Sequence, residues 1–121
     1  MKPETNQLHE RLYPQINLQA WDYLVRKVPL GQGALTRMAA YRYLIMMQEE
    51  YLSIDEAKGR EYFFEIPICR LAQAWGWHRE TVSLYLRALD DYGAIEHYRQ
   101  GKSYCIRVLF MTAPSLLGRV D

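Results

Sequence analysis

The sequence predicts a mainly α-helical domain that carries a small antiparallel sheet. Apolar side chains recur at helical spacing in four stretches, residues 15–28, 34–52, 67–75 and 79–92. Three shorter stretches, residues 61–66, 94–98 and 103–109, predict strands, and a Gly-containing turn separates the last two. At 121 residues the chain is long enough for one domain with its own core.

The charge distribution is more informative than the total charge. The net charge is only +1, which gives no argument for a nucleic-acid partner. Between residues 68 and 108, however, six basic side chains stand against four acidic ones. Two of the acids, Asp90 and Asp91, lie at the far end of a predicted helix. The start of that helix and the hairpin after it are therefore more basic than the chain as a whole.

The first residues are polar and contain no apolar segment of the kind that a signal peptide needs. No run of residues has the length and hydropathy of a membrane span. Cys69 and Cys105 are far apart and form no Cys-x-x-Cys pair, so we expect reduced thiols. These features predict a cytoplasmic protein with no membrane partner.

The first 60 residues predict a helical extension, preceded by a polar, loosely held segment at residues 1–14. In residues 15–28, Asn17 suits the N-cap position. The predicted apolar stripe of this helix is Leu18, Trp21, Leu24, Val25 and Val28. Residues 34–52 form the longest predicted helix, and its apolar arc spreads over more than one face. Either the rest of the chain covers this arc, or a second copy does so in a homodimer through residues 15–52. A polar loop is predicted at residues 53–60 and a short tail at residues 110–121.

Residues 67–95 are the stretch around which the chain is organised. Pro67 suits the first turn of a helix, and Gly76 supplies its end. A second helix begins near Arg79, and Gly93 closes it. Its buried side is expected to carry Val82, Leu86 and Leu89. Because only three residues separate the two helices, they must cross steeply, as in a helix-turn-helix.

The order of these elements resembles a winged helix-turn-helix DNA-binding domain over residues 61–109. The resemblance is carried by Leu71-Ala72, Gly76, Thr81-Val82, Leu86, Leu89 and Gly93-Ala94-Ile95. It implies that the second helix is a recognition helix and that the hairpin is the wing. Domains of this kind also serve as protein-binding modules, so the resemblance bears more on fold than on function.

The exposed side of the predicted recognition helix and the hairpin tip hold the candidate DNA-binding residues. Arginine can fork onto guanine or phosphate, while threonine and serine can bond to phosphate or a base edge. A basic hairpin tip suits the DNA backbone or the minor groove. The predicted set is His78, Arg79, Thr81, Ser83, Arg87, Arg99, Gln100 and Lys102.

Catalytic signals are nearly absent. The three histidines are scattered, and no Gly-rich phosphate loop with its lysine is present. A zinc site from Cys69, Cys105, His78 and His97 would lack the close paired spacing of structural sites. We therefore expect no enzyme activity, no cofactor and no metal.

Two apolar features of the helix pair have competing interpretations. Trp75 and Trp77 could stack on single-stranded bases, but their positions beside Gly76 favour burial in the core. Leu84 falls on the predicted exposed side of the second helix, where it could touch a thymine methyl group or another protein.

The predicted function is DNA binding without catalysis, by a transcription regulator or an accessory protein of a replication or mobile element. Duplex DNA is favoured over single-stranded DNA. The alternative is a protein-interaction module that docks onto a larger replication or conjugation protein.

Overall fold

The computed structural model describes residues 12–54 and 63–112. About half of these residues are helical. In chain order the elements are β1 (Leu12–Pro14), α1 (Leu18–Val25), α2 (Arg37–Ile54), β2 (Phe64–Pro67), α3 (Ile68–Trp75), α4 (Arg79–Asp91), β3 (Ile95–Gln100), β4 (Ser103–Val108) and β5 (Phe110–Thr112). The predicted combination of helices with a small antiparallel sheet is confirmed. Most of the predicted polar loop, Tyr62 and the tail from residue 113 lie outside the described residues, while residues 53 and 54 belong to α2.

The larger sheet contains three antiparallel strands in the order β2-β4-β3. Side chains alternate between its two faces, so one face is apolar and packs against the helices. Phe64 and Ile66 of β2 point to this face, as predicted, and they pair with Ile106 and Tyr104 of β4. The sheet thus closes one side of the core.

A second, two-stranded sheet joins the two ends of the described chain. β1 pairs antiparallel with β5, and Leu12 lies opposite Thr112. The sequence predicted a loosely held segment at residues 1–14 and a tail from residue 110, so this pairing was missed. It joins residues far apart in sequence, and neither strand is long enough to show an alternating pattern of its own.

The core is centred on α3 and α4. The buried positions of both helices agree with the prediction, with Leu71 and Trp75 in α3 and Val82 and Leu86 in α4 all fully buried. Tyr85, which the sequence left open, is also buried. Its ring packs at a steep angle against both Trp75 and Trp77. The two tryptophans are therefore core residues, as their spacing favoured.

Helix α1 buries only part of its predicted apolar stripe. Asn17 is its N-cap, and the side chain accepts the N–H of Ala20 at 2.8 Å, as expected. The buried residues are Ala20 and Leu24, whereas Leu18, Trp21 and Val25 are exposed by 73%, 47% and 45%. The predicted burial is confirmed for Leu24 but wrong for the three exposed residues, because contacts on the other side of α1 fix its rotation. The neighbouring Tyr23 packs on Tyr85 and Tyr92 and carries the guanidinium of Arg37 over its ring at 3.8 Å.

Helix α2 begins at Arg37 rather than at residue 34, and Thr36 caps it by accepting the N–H of Ala39 at 3.1 Å. Much of its apolar arc is covered within the chain, since Ala40, Tyr41 and Leu44 are buried. Gln48 is also fully buried, and its side-chain oxygen accepts the N–H of Val108 at 2.9 Å. This hydrogen bond ties α2 to the sheet.

Tyr41 and Tyr85 form a natural pair for testing buried hydroxyl groups. The Tyr85 hydroxyl donates to the carbonyl oxygen of Arg37 at 2.7 Å. The Tyr41 hydroxyl is buried and has no hydrogen-bond partner among the described residues. Tyr85→Phe is expected to lower the free energy of unfolding by about 1 kcal/mol, whereas Tyr41→Phe should leave it unchanged or raise it. Urea denaturation of both variants measures this difference, and an equal loss in both would contradict it.

The buried hydroxyl of Tyr41 also predicts an effect of pH on stability. Burial raises the pKa of Tyr41 to about 12 from its ordinary value of 10.0. The folded protein therefore holds this proton more tightly than the unfolded chain does. The resulting contribution to the free energy of unfolding is fully present below pH 10 and is lost as the pH rises toward 12. We expect Tyr41→Phe to lose less stability than the wild type over this range.

Candidate nucleic-acid interface

The turn between α3 and α4 is held by backbone hydrogen bonds. Gly76 ends α3 with φ of +71°, in the left-handed region that favours glycine. Its N–H and that of Trp77 both point to the carbonyl oxygen of Ala72. His78 then serves as the N-cap of α4 without a side-chain capping bond, and its side chain is exposed. The first turn of α4 is therefore accessible to an outside acceptor.

The segment before α2 packs onto this turn and fixes it. The N–H of Leu35 donates to the carbonyl oxygen of Trp75 at 2.8 Å, and the indole N–H of Trp77 donates to the carbonyl oxygen of Leu35 at 2.9 Å. A Cβ atom added at Gly76 would lie 3.2 Å from the Cα atom of Ala34. The N-terminal region is thus part of what positions α4.

The starts of α3 and α4 and the hairpin tip, residues 99–102, surround an open cleft of about 580 Å³. We call it the basic cleft, because three cationic side chains line it. Its lining residues are Pro67, Ile68, Cys69, Arg79, Glu80, Ser83, Arg99 and Lys102. Four of the eight predicted DNA-binding residues, Arg79, Ser83, Arg99 and Lys102, are therefore brought together from two separate elements.

Two of the predicted DNA-binding residues, Arg99 and Gln100, lie on opposite faces of the hairpin. Arg99 lies opposite Tyr104, whose hydroxyl is hydrogen-bonded to Ser83 of α4, so Arg99 is on the α4 side of the strand. Gln100 follows directly, so it is on the opposite face. There its side-chain oxygen lies 3.5 Å from the thiol sulfur of Cys105, which donates to it. Gln100 does not line the basic cleft.

The other predicted residues lie along α4. Thr81 is half-buried on its first turn, and Arg87 is exposed. Arg87 is eight residues after Arg79, about 12 Å further along the helix axis. Leu84 is 63% exposed, as predicted for the outer side of this helix. Arg87 and Leu84 therefore belong to the exposed side of α4 and not to the cleft.

Other polar side chains of the sheet and of α4 have partners within the described residues. His97 lies 2.7 Å from a carboxylate oxygen of Asp90, and Arg107 pairs with Glu96. By contrast, none of Arg79, Arg87, Arg99 and Lys102 forms an ion pair with any residue of 12–54 or 63–112. Within this part of the chain, these four unpaired cations lie at the cleft and along α4, and Glu80 lines the same cleft as an acidic neighbour.

Sequence reasoning missed the floor of the cleft. Pro67, Ile68 and Cys69 were interpreted only as the first residues of a helix, yet they line the space between α4 and the hairpin. The pairing of β2 with β4 could have identified them. Because β2 ends at Pro67, this pairing brings the start of α3 beside the hairpin tip.

The cysteines differ in accessibility, since Cys69 is exposed and Cys105 is buried, and both are free thiols. Within the described residues no group of three or more histidine, cysteine or acidic side chains is arranged to hold a metal ion. None of the helices in the described residues has the length and apolar character to span a membrane.

Comparisons of this chain with protein-family models, with curated proteins and with solved structures returned no significant match.

Proposed function

We propose that residues 61–109 form a winged helix-turn-helix and that the basic cleft and the exposed side of α4 bind duplex DNA. The element order from α2 to β4 supports the fold, because a strand, two helices and a hairpin follow in turn. The strand order supports it as well, since β2 pairs with the second strand of the hairpin. This is the arrangement that the resemblance implies.

The observation that carries the binding proposal is the convergence of Arg79, Arg99 and Lys102 on one cleft. These residues come from two elements about 20 positions apart in sequence, and no described carboxylate pairs with them. Unpaired cations that converge on an accessible cleft beside a helix start suit phosphate contacts. Duplex DNA is favoured over single-stranded DNA because both tryptophans of the helix pair are buried and none of the described residues that line the cleft is aromatic.

The test is binding of the full chain to a fluorescently labelled duplex and to the matching single strand across a salt series. If Arg79, Arg87, Arg99 and Lys102 each contact a phosphate, the logarithm of the binding constant should fall against the logarithm of salt with a slope of about −3.6. The duplex should bind more tightly than the single strand. A slope near zero with both probes would refute the DNA-binding proposal.

A protein-docking function is the second candidate, and the exposed Leu84 is the observation that favours it. A large apolar side chain in the middle of an exposed helix side suits contact with an apolar partner surface. The salt series separates the two functions, because contact through Leu84 gives no salt-dependent binding of a bare duplex.

A homodimer through residues 15–52 is a further part of the proposal. Among the side chains that the structure describes in this region, the exposed large apolar ones are Leu18, Trp21 and Val25 of α1 and Met46 of α2. Leu18→Glu puts a carboxylate on the first turn of α1, where the helix dipole tolerates it, so the variant should fold. We expect light scattering at high micromolar concentration to give a dimer for the wild type and a monomer for the variant. A monomeric wild type would rule out the homodimer.

A further inference from the structure

The tip of the β3–β4 hairpin is held level with the end of β2. β2 pairs with β4 as far as Pro67 and Ser103, the first residue of β4. The N–H of Ile68 then donates to the carbonyl oxygen of Lys102 at 2.9 Å. Only a two-residue turn, Gly101-Lys102, connects β3 to β4. Within residues 63–112 the hairpin therefore does not project beyond the start of α3.

The cations of the tip are directed to α4 by two further contacts. The Nε–H of Arg99 donates to the carbonyl oxygen of Gly101 at 3.1 Å, which keeps the side chain at the tip. The hydrogen bond between Tyr104 and Ser83 ties the hairpin to the second turn of α4. Arg99 and Lys102 thus share one cleft with Arg79 instead of forming a separate basic surface.

DNA geometry limits what such a short hairpin can reach. Phosphates of one strand follow one another with an axial rise of only about 3.4 Å, so cations that line one cleft can all contact one short stretch of backbone. The major groove is about 12 Å wide, and a hairpin must extend well past a helix in that groove to enter the adjacent minor groove. A tip fastened to the start of α3 does not have this reach.

We infer that the basic cleft holds consecutive phosphates of a single DNA strand, and that the hairpin does not enter the minor groove. This inference rests on the proposed DNA binding and assigns the hairpin and the start of α4 to the same stretch of backbone. Sequence information would then come from α4 alone, through its exposed residues beyond the cleft.

The first measurement uses Cys69 as a reporter of the cleft. The chain has two cysteines, and Cys69 is exposed in the cleft while Cys105 is buried. A neutral alkylating reagent, iodoacetamide, should modify Cys69 in the native protein and leave Cys105 unmodified. Saturating A·T-rich duplex should slow modification of Cys69 at least fivefold, as measured by mass spectrometry.

The second measurement uses netropsin, which fills the minor groove of the same A·T-rich duplex. The affinity of the wild type and of Arg99→Ala/Lys102→Ala is measured with and without netropsin. Netropsin also adds positive charge to the DNA, so the comparison between the two proteins is the readout. If the hairpin stays out of the minor groove, netropsin should change both affinities by the same factor, within twofold.

The outcomes separate the inference from the function on which it rests. No binding of either protein to the duplex would refute the DNA-binding proposal itself. Binding with Cys69 still fully reactive would overturn the inference, because the cleft would be empty. Binding in which netropsin weakens the wild type by a larger factor than the variant would also overturn it, since the tip would then occupy the minor groove. Protection of Cys69 with matched netropsin responses would support it.

Discussion

Removing the three cations of the basic cleft together should abolish most of the DNA affinity. In Arg79→Ala/Arg99→Ala/Lys102→Ala, three phosphate contacts are lost, each of which contributes about 0.9 to the salt slope. The slope should become shallower by about 2.7, and the affinity should fall on the order of 100-fold at 150 mM salt. All three side chains are exposed, so the fold should be retained. Anisotropy titrations with the labelled duplex measure both quantities, and circular dichroism checks the fold.

A second triple variant controls for net charge. Arg26, Lys27 and Arg42 are also exposed, and none of them lines the cleft. Arg26→Ala/Lys27→Ala/Arg42→Ala changes the net charge from +1 to −2, as the cleft variant does. We expect this variant to keep the wild-type slope and to lose less than threefold in affinity. Equal losses in the two variants would mean that general charge and not the cleft attracts the DNA.

The helix pair was the most predictable part of the fold. Its apolar residues follow the helical period closely, and Gly76 and Gly93 mark the ends, so both boundaries and the buried positions could be obtained from the sequence. The strands of the larger sheet were also located well, because β-branched and aromatic residues flank a turn that needs glycine at Gly101, where φ is +62°.

Helix α1 shows where the sequence pattern is ambiguous. Of the predicted stripe, Leu24 is buried but Leu18, Trp21 and Val25 are exposed, whereas Ala20, which is outside the stripe, is fully buried. The outcome depends on Tyr23, whose contacts with α4 and Arg37 set the rotation of the helix. Such contacts between distant parts of the chain cannot be obtained from one helix alone.

The candidate site was predictable in its cations but not in its shape. A basic helix start followed by a basic hairpin indicated Arg79, Arg99 and Lys102. That they line one cleft follows from the pairing of β2 with β4, which decides how far the hairpin extends. Strand register also decides which side of the hairpin each residue faces, and a shift of one residue would exchange Arg99 and Gln100.

A large loss of stability is expected from Trp77→Ala. Trp77 is 6% exposed, and its ring packs edge-on against Trp75 and Tyr85 with centroid distances of 4.8 and 4.9 Å. Truncation removes these contacts and also the indole N–H that bonds to the carbonyl oxygen of Leu35. The substitution should lower the free energy of unfolding by about 3–5 kcal/mol. This is a large fraction of the total of about 5–15 kcal/mol for a typical domain.

The chain contains its own control, since Trp21 is 47% exposed on α1. At a protein concentration too low for the proposed homodimer to form, Trp21→Ala makes the same chemical change and should alter the free energy of unfolding by less than about 0.5 kcal/mol. Trp77→Phe keeps a ring and removes the donor to Leu35, so it should fall between the two. Urea denaturation followed by circular dichroism gives all three values. If Trp77→Ala instead keeps wild-type stability and loses DNA binding, Trp77 contacts DNA, and the assignment of both turn tryptophans to the core is wrong.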